Sequence, residues 1–227
     1  MSALAVKIHT IPLGVDNCYL LEGEKCVLID GGALQQSRAF LKKMAALGIP
    51  PSRIALIVLT HAHWDHIGSA HVLAELTGAM LAIHSSERAI VEHGLKSMPP
   101  GVTLWGKILG AILRVFIRFI AIPPAHVDLE IGDDGLSLDP YGVPGRVVHT
   151  PGHSPGSVSI VLESGEAFIG DMAMNGFPLT RGPALPIFAE DIGILKESWH
   201  KLLKLGLTTV FPAHGKPFPV SALWPQG

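Results

Sequence analysis

The run "RIALIVLT" (53–60) leads without a break into "HAHWDH" (61–66). The first is a continuous β-rich apolar stretch, suited to a strand buried on both faces. The second places His61, His63, Asp65 and His66 within six positions, and each can bind a transition metal once deprotonated. In a helix, His61 and His63 would sit roughly 200° apart and could not share an ion. In an extended segment residues i and i+2 point the same way, so HxH at a strand end offers two nitrogens to one metal. Asp65 and His66 then turn toward a second position. That spacing argues for two adjacent ions rather than the single zinc of a helical HExxH.

Such a site needs ligands from elsewhere in the chain. Three further loops each follow a strand-like segment: "HTPGHSPGS" with His153, "FIGDM" with Asp171 and "VFPAHGK" with His214. Residues that end separate strands can converge at one sheet edge. The Pro and Gly around His153 and His214 suit tight turns that hold a ligand rigidly.

Strand and helix signals alternate along the rest of the chain, which indicates an α/β protein. "NCYLLEGEKCVLIDGG" reads as two strands about a turn, with Leu21 paired to Cys26 and Cys18 opposite Ile29. Residues 35–47 place Phe40, Leu41, Met44 and Leu47 on one helical face, stopped by Gly48 and Pro50. "SAHVLAELTG" has helical spacing, "AMLAIH" reads as a strand, and "SSERAIVEHG" as a helix capped by Ser85 with Glu87 and Arg88 in its first turns. Near the end come a helix in "AEDIGILKESWHKLLKLG" and a strand in "TTVF". No short repeat or linker interrupts the chain, so residues 1–227 read as a single domain.

With 48% hydrophobic and 16% charged residues the chain is globular and apolar in balance. A net charge of −2 gives no general attraction to nucleic acid, and no nucleic-acid partner is expected. The opening "MSALAVKIHTIPLG" reads as lacking a signal peptide. Two cysteines, Cys18 and Cys26, are too few for a disulfide framework, so a reduced cytoplasmic protein is expected.

"THAHWDH" (60–66), "TPGHSPGS" (150–157), "GD" (170–171) and "PAHG" (212–215) together resemble the metallo-β-lactamase superfamily, most of all its glyoxalase II-like branch. The resemblance runs from "LIDGG" to the last loop. It implies a four-layer αββα sandwich with the site along one edge. It implies that His61, His63 and His153 hold a first metal, that Asp65, His66 and His214 hold a second, and that Asp171 bridges both. Asp65 and Asp171 are the residues on which catalysis is expected to rest. Zinc is the default ion; iron and manganese are compatible with the same donors.

Paired divalent ions outweigh two ionised aspartates, leaving a net positive site that attracts an anionic or polarised oxygen. Bound water falls in pKa from 15.7 to about 7, giving a nucleophilic hydroxide at neutral pH. The expected reaction is hydrolysis of a small-molecule ester or thioester. The superfamily also contains lactonases and phosphodiesterases, and persulfide dioxygenases that use a similar motif around one iron.

Asp30 is expected to orient a ligand loop. His149 reads either as support for a ligand or as another surface histidine, and Lys216 either as a contact for a substrate anion or as a solvated lysine. His9, His71, His84, His93, His126 and His200 read as surface or partly buried residues.

An apolar helical insertion spans about 95–125. Lys107, Arg114 and Arg118 share one helical stripe, and Leu104, Trp105, Ile108, Leu109, Ile112, Leu113, Phe116, Phe119 and Ile120 cover most of the remainder. Central arginines argue against a transmembrane span, at about 2.5–3.5 kcal/mol each. Three roles stay open for residues 102–122: packing on the core or on a second subunit, an apolar wall that selects a lipophilic acyl substrate, or a membrane-surface helix.

Overall fold

The apolar run at 53–60 lies inside the first of two six-stranded sheets. The computed structural model describes residues 6–176 and 178–223; residues 1–5, the start of the segment read above as lacking a leader, lie outside it with 177 and 224–227. The first sheet is ordered β1 (Lys7–Pro12), β2 (Asn17–Glu22), β3 (Cys26–Ile29), β4 (Ile54–Val58), β5 (Met80–His84) and β6 (Leu129–Ile131). Its first three strands are antiparallel and β3 to β6 are parallel. The second sheet contains β7 (Leu136–Ser137), β8 (Gly145–His149), β9 (Val158–Leu162), β10 (Glu166–Phe168), β11 (Thr209–Phe211) and β12 (Phe218–Pro219). They lie side by side in chain order, and only β10 and β11 pair in parallel.

The helices are α1 (Ser37–Leu47), α2 (Trp64–Ile67), α3 (Ala70–Thr77), α4 (Arg88–His93), α5 (Leu104–Ile117) and α6 (Ile192–Leu203). Alternation along the strands divides the interior into layers. Leu56 and Val58 of β4 face the second sheet, packing with Tyr19, Ile29, Ile160 and Phe168. Ile57 and Leu59 face the other way, against Phe40, Met44, Leu73 and Val91 of α1, α3 and α4. On the far side of the second sheet, Val148, Val161 and Val210 pack with Leu195, Trp199 and Leu202 of α6. Helix, sheet, sheet, helix: this is the αββα sandwich.

Three local expectations need correction. The β2–β3 register is shifted by one, with Glu22 opposite Cys26 and Tyr19 opposite Ile29. A three-residue connection causes the shift: Gly23 N–H donates to the Lys25 carbonyl at 2.9 Å, and Glu24 N–H to the Gly142 carbonyl at 3.0 Å. Both cysteines are buried and unbridged. Leu41 is 40% exposed, because α1 turns only Phe40 and Met44 fully inward. Ser85 does not cap a helix; a 3-10 turn spans Ser85–Glu87, and the His84 side chain accepts the Ser86 N–H. That turn sends Glu87 into the interior, where it is 2% exposed.

Candidate metal centre

Beyond β4 the chain stays extended through His61 and His63, and α2 begins at Trp64. The position of this segment is fixed by Asp30, a non-glycine residue at φ 64°. Its carboxylate accepts from the Thr60 N–H at 2.7 Å, the Thr60 hydroxyl at 2.9 Å and His66 Nδ1 at 2.9 Å. The expected orienting role of Asp30 is thus visible in its contacts. Across the sandwich, His153 lies in the loop between β8 and β9. Gly152 precedes it at φ +131°, and a Cβ there would come within 2.3 Å of the Leu195 nitrogen, so only glycine fits. Asp171 follows β10 and His214 follows β11.

All seven residues singled out from the sequence come together between the ends of the two sheets. His61, His63 and His153 have ligand atoms within 4.8 Å of one another; so do Asp65, His66 and His214, and so do His61, His66 and Asp171. Asp171 stands between the two groups. Its oxygens lie 3.4 Å from His66 Nε2, 3.7 Å from His153 Nε2 and 3.4 Å from His214 Nε2. His214 Nε2 is 3.6 Å from Asp65 Oδ2. Most of these separations exceed good hydrogen bonds but match the edge of a tetrahedron with metal bonds near 2.1 Å, about 3.4 Å.

The outer nitrogens are already committed. His153 Nδ1 donates to the Phe188 carbonyl at 2.9 Å, leaving the Nε2 lone pair 3.0 Å from His63 Nδ1. His61 Nδ1 meets the Thr60 hydroxyl at 3.1 Å. Such contacts fix tautomer and ring orientation. Meanwhile Nε2 of His61, His63 and His66, and Oδ1 of Asp171, are buried without a hydrogen-bond partner. Orphaned donors and acceptors in an interior are costly. Here they converge as N and O donors of the kind a divalent ion takes, so the donor set fits divalent metal.

Two residues of this centre escaped the sequence. Asp16, in the β1–β2 turn, is 2% exposed with both oxygens unpartnered. It lies 3.9 Å from His66 Nε2 and 3.8 Å from His214 Nδ1, and its ligand atoms group with those of Asp65, His66 and His214. A third carboxylate lowers the positive excess expected from the sequence. Glu87 accepts the Ala62 N–H, the Ser154 hydroxyl and, at 2.9 Å, the Gly156 N–H. It clamps the HxH segment to the His153 loop. Its position follows from the His84 cap, which no local sequence pattern announces.

The two halves of the centre differ in charge. Burial, reinforced by neighbouring imidazoles, pushes His61 and His63 well below the ordinary histidine value, and burial lowers His153 too. Burial also opposes charge on His66, but Asp30, Asp16 and Asp171 outweigh it and raise its pKa well above normal. His214 is likewise disfavoured by burial yet pushed up to about 10 by Asp171, Asp16 and Asp65. For Asp171 burial acts upward, and His214 and His66 reverse it, holding the carboxyl well below its usual range. Burial, then Asp65, raises Asp16.

Residues 11–214 match the model of the metallo-beta-lactamase superfamily. The chain belongs to that superfamily. Together with the His/Asp cluster, the match makes it a metal-dependent hydrolase. It is 30% identical to the probable metallo-hydrolase YqgX of Bacillus subtilis, over 73% of this chain and 69% of that protein. Among solved structures it resembles the BLEG-1 B3 metallo-beta-lactamase, with TM-score 0.69, 25% identity and 95% of each chain covered. It also resembles TTHA1623 in a di-iron-bound form, with TM-score 0.65, 29% identity and coverage of 95% of this chain and 96% of that one.

In this superfamily member the centre opens into a chamber of about 430 Å³. His63, Asp65, His153, Asp171 and His214 lie on one side; Met98, Leu109, Leu113, Met174, Leu179 and Phe188 line much of the rest. Helix α5 supplies Leu109 and Leu113, and Trp105 Nε1 ties it to the Pro178 carbonyl at 3.0 Å. Lys216 is exposed and does not line the chamber. His149 is not among the seven: it stacks on His84 with ring centroids 4.1 Å apart, and both meet Asp133. His84 is buried, more so than expected, and these three form a separate group with metal-ligand spacing. His9, His71 and His126 lie 2.9, 3.5 and 3.7 Å from carboxylate oxygens of Glu22, Glu75 and Asp128.

Proposed function

We propose that this metal-dependent hydrolase cleaves a small-molecule ester or thioester with a lipophilic acyl group, using two divalent ions. The apolar chamber that opens directly onto the His/Asp cluster carries this reading. His61, His63 and His153 would hold one ion and Asp65, His66 and His214 the other, with Asp171 placed within reach of both groups. When bound, the ions supply a hydroxide nucleophile at neutral pH and stabilise the developing oxyanion. Asp65 and Asp171 reach the chamber itself, where the acyl carbonyl enters. The hydrocarbon walls exclude water and favour a long acyl chain over a short one. Zinc is the first expectation for the metal. Iron is the second reading, favoured by the di-iron-bound form of the similar TTHA1623.

The test pairs metal analysis of chelator-free native protein with a panel of acyl esters and thioesters of increasing chain length. Two ions per chain and kcat/KM that rises with chain length are expected. Leu113→Gln should flatten that rise, each methylene in an apolar site being worth about 0.8 kcal/mol. A single iron with oxygen uptake on a persulfide, or a two-ion protein inert to the whole panel, would overturn the reading.

A further inference from the structure

Helix α5 has two apolar sides, and only one of them meets the protein. Gly106, Gly110 and Ile117 are buried, and Leu109 and Leu113 line the chamber. On the other side Leu104, Ile108, Ile112, Val115, Phe116 and Phe119 are all exposed, Leu104 by 77% and Phe119 by 84%. At about 100° per residue the five within α5 fall in one arc of roughly 120°, and Phe119 follows in the turn just beyond the helix. Lys107, Arg114 and Arg118 occupy a narrow stripe beside the arc, and all three are exposed. A single contiguous apolar surface of this size marks an interaction site.

The charge around it says what the partner is. Residues 93–127 hold four of the chain's 17 cations and none of its 19 carboxylates. Among the described residues no carboxylate pairs with Lys107, Arg114 or Arg118. The rest of the molecule is therefore strongly acidic, and this one surface is basic. A second copy in a two-fold arrangement would bring the same three cations alongside their own copies with no carboxylate among them, and that like-charge juxtaposition opposes pairing. Exposed hydrocarbon and aromatic groups flanked by arginine and lysine instead match an interfacial helix on anionic lipid. Among the described residues no helix is long and apolar enough to cross a membrane, so the helix would lie in the plane of the surface.

We propose that the outward face of α5 docks this protein on an anionic lipid surface. Docked there, the metal chamber stands about one helix diameter, roughly 10 Å, from the acyl layer. The docking rests on the helix alone and stands or falls separately from the hydrolytic reading.

The experiment is flotation of the zinc-loaded full chain with phosphatidylcholine vesicles, alone or mixed with phosphatidylglycerol. The mixed vesicles should bind at least about tenfold more tightly, and added salt should remove the difference. A variant combining Lys107→Gln, Arg114→Gln and Arg118→Gln should fall to the neutral-vesicle level, at roughly fivefold per cation. Combining Phe116→Ser with Phe119→Ser should abolish binding to both, while melting temperature and zinc content stay at wild-type values. Equal binding to the two vesicles, or none to either, overturns the proposal. A dimer in light scattering that the phenylalanine variant dissolves, without vesicle binding, assigns the face to a second copy instead.

Discussion

The opposite electrostatics of the two halves of the centre predict that metal loading is ordered and can be counted in protons. His61, His63 and His153 are held neutral by burial, so a first ion meets three ready lone pairs and displaces nothing. His66 and His214 are raised, so a second ion must displace two protons. With His214 at about 10, removing its proton at pH 7 costs about 4 kcal/mol, at about 1.4 kcal/mol per unit. The sign follows: affinity for the first ion is flat with rising pH. Affinity for the second rises about tenfold per pH unit for each proton displaced, so the His214 proton alone gives about tenfold between pH 7 and pH 8, and His66, raised in the same direction, steepens the rise. It levels off only above the pKa of His214. Asp16, itself raised, adds a third proton when it ionises. Titration calorimetry of the chelated protein with zinc, in buffers of different ionisation enthalpy, reads these protons directly. The expected result is near zero for the tighter event and two to three for the weaker one. Equal proton release by both ions, or a second event indifferent to pH, would refute the electrostatic argument.

Asp171→Ala removes the carboxylate shared by both halves, and should abolish tight binding of both ions and all turnover; a variant retaining either would contradict its central position. Glu87→Ala leaves the Ala62 and Gly156 N–H groups unpaired in the interior and strips the Ser154 hydroxyl of one partner, at a cost of about 3–5 kcal/mol in urea unfolding. Glu87→Gln keeps one acceptor oxygen, for Ser154 and Gly156, but sets an NH2 against the Ala62 N–H, so it should lose less than Glu87→Ala yet stay below wild type, which separates the clamp from simple packing. Asp30→Asn tolerates φ 64° and keeps the fold. It weakens the hold on His66, so affinity for the second ion, followed by competition with a chromophoric chelator, should fall about 10–100-fold.

The legible part of the site was the part written in local chemistry. HxH has meaning only at a strand end, and the aliphatic run before it supplied the strand. Proline and glycine around His153 and His214 announced rigid turns. Asp16 was illegible because it is one acid in a short turn; its approach to His66 is set by where β1 and β2 lie in the first sheet. Glu87 was illegible because its direction depends on His84 capping ahead of Ser85, a contest between neighbours that pattern alone does not settle. The β2–β3 register failed for a related reason, a tertiary hydrogen bond to Gly142 having tightened the turn. β6, β7 and β12 contain only two or three residues each, too few for a period to appear. The insertion's wide apolar face was plain in the sequence, but which arc meets the protein was not.

The donors of each half come from both sheets: His61 and His63 follow β4, while His153, Asp171 and His214 follow strands of the other sheet. Neither sheet can therefore assemble a coordination sphere by itself, and the chain separating His61 from His214 must be organised first. Contacts so distant in sequence form late in folding. Metal uptake would then act as a latch thrown after the halves have met, bolting one layer of the sandwich to the other. Chelation should loosen the joint between the sheets before it loosens either sheet, so the seam itself would open first to hydrogen exchange.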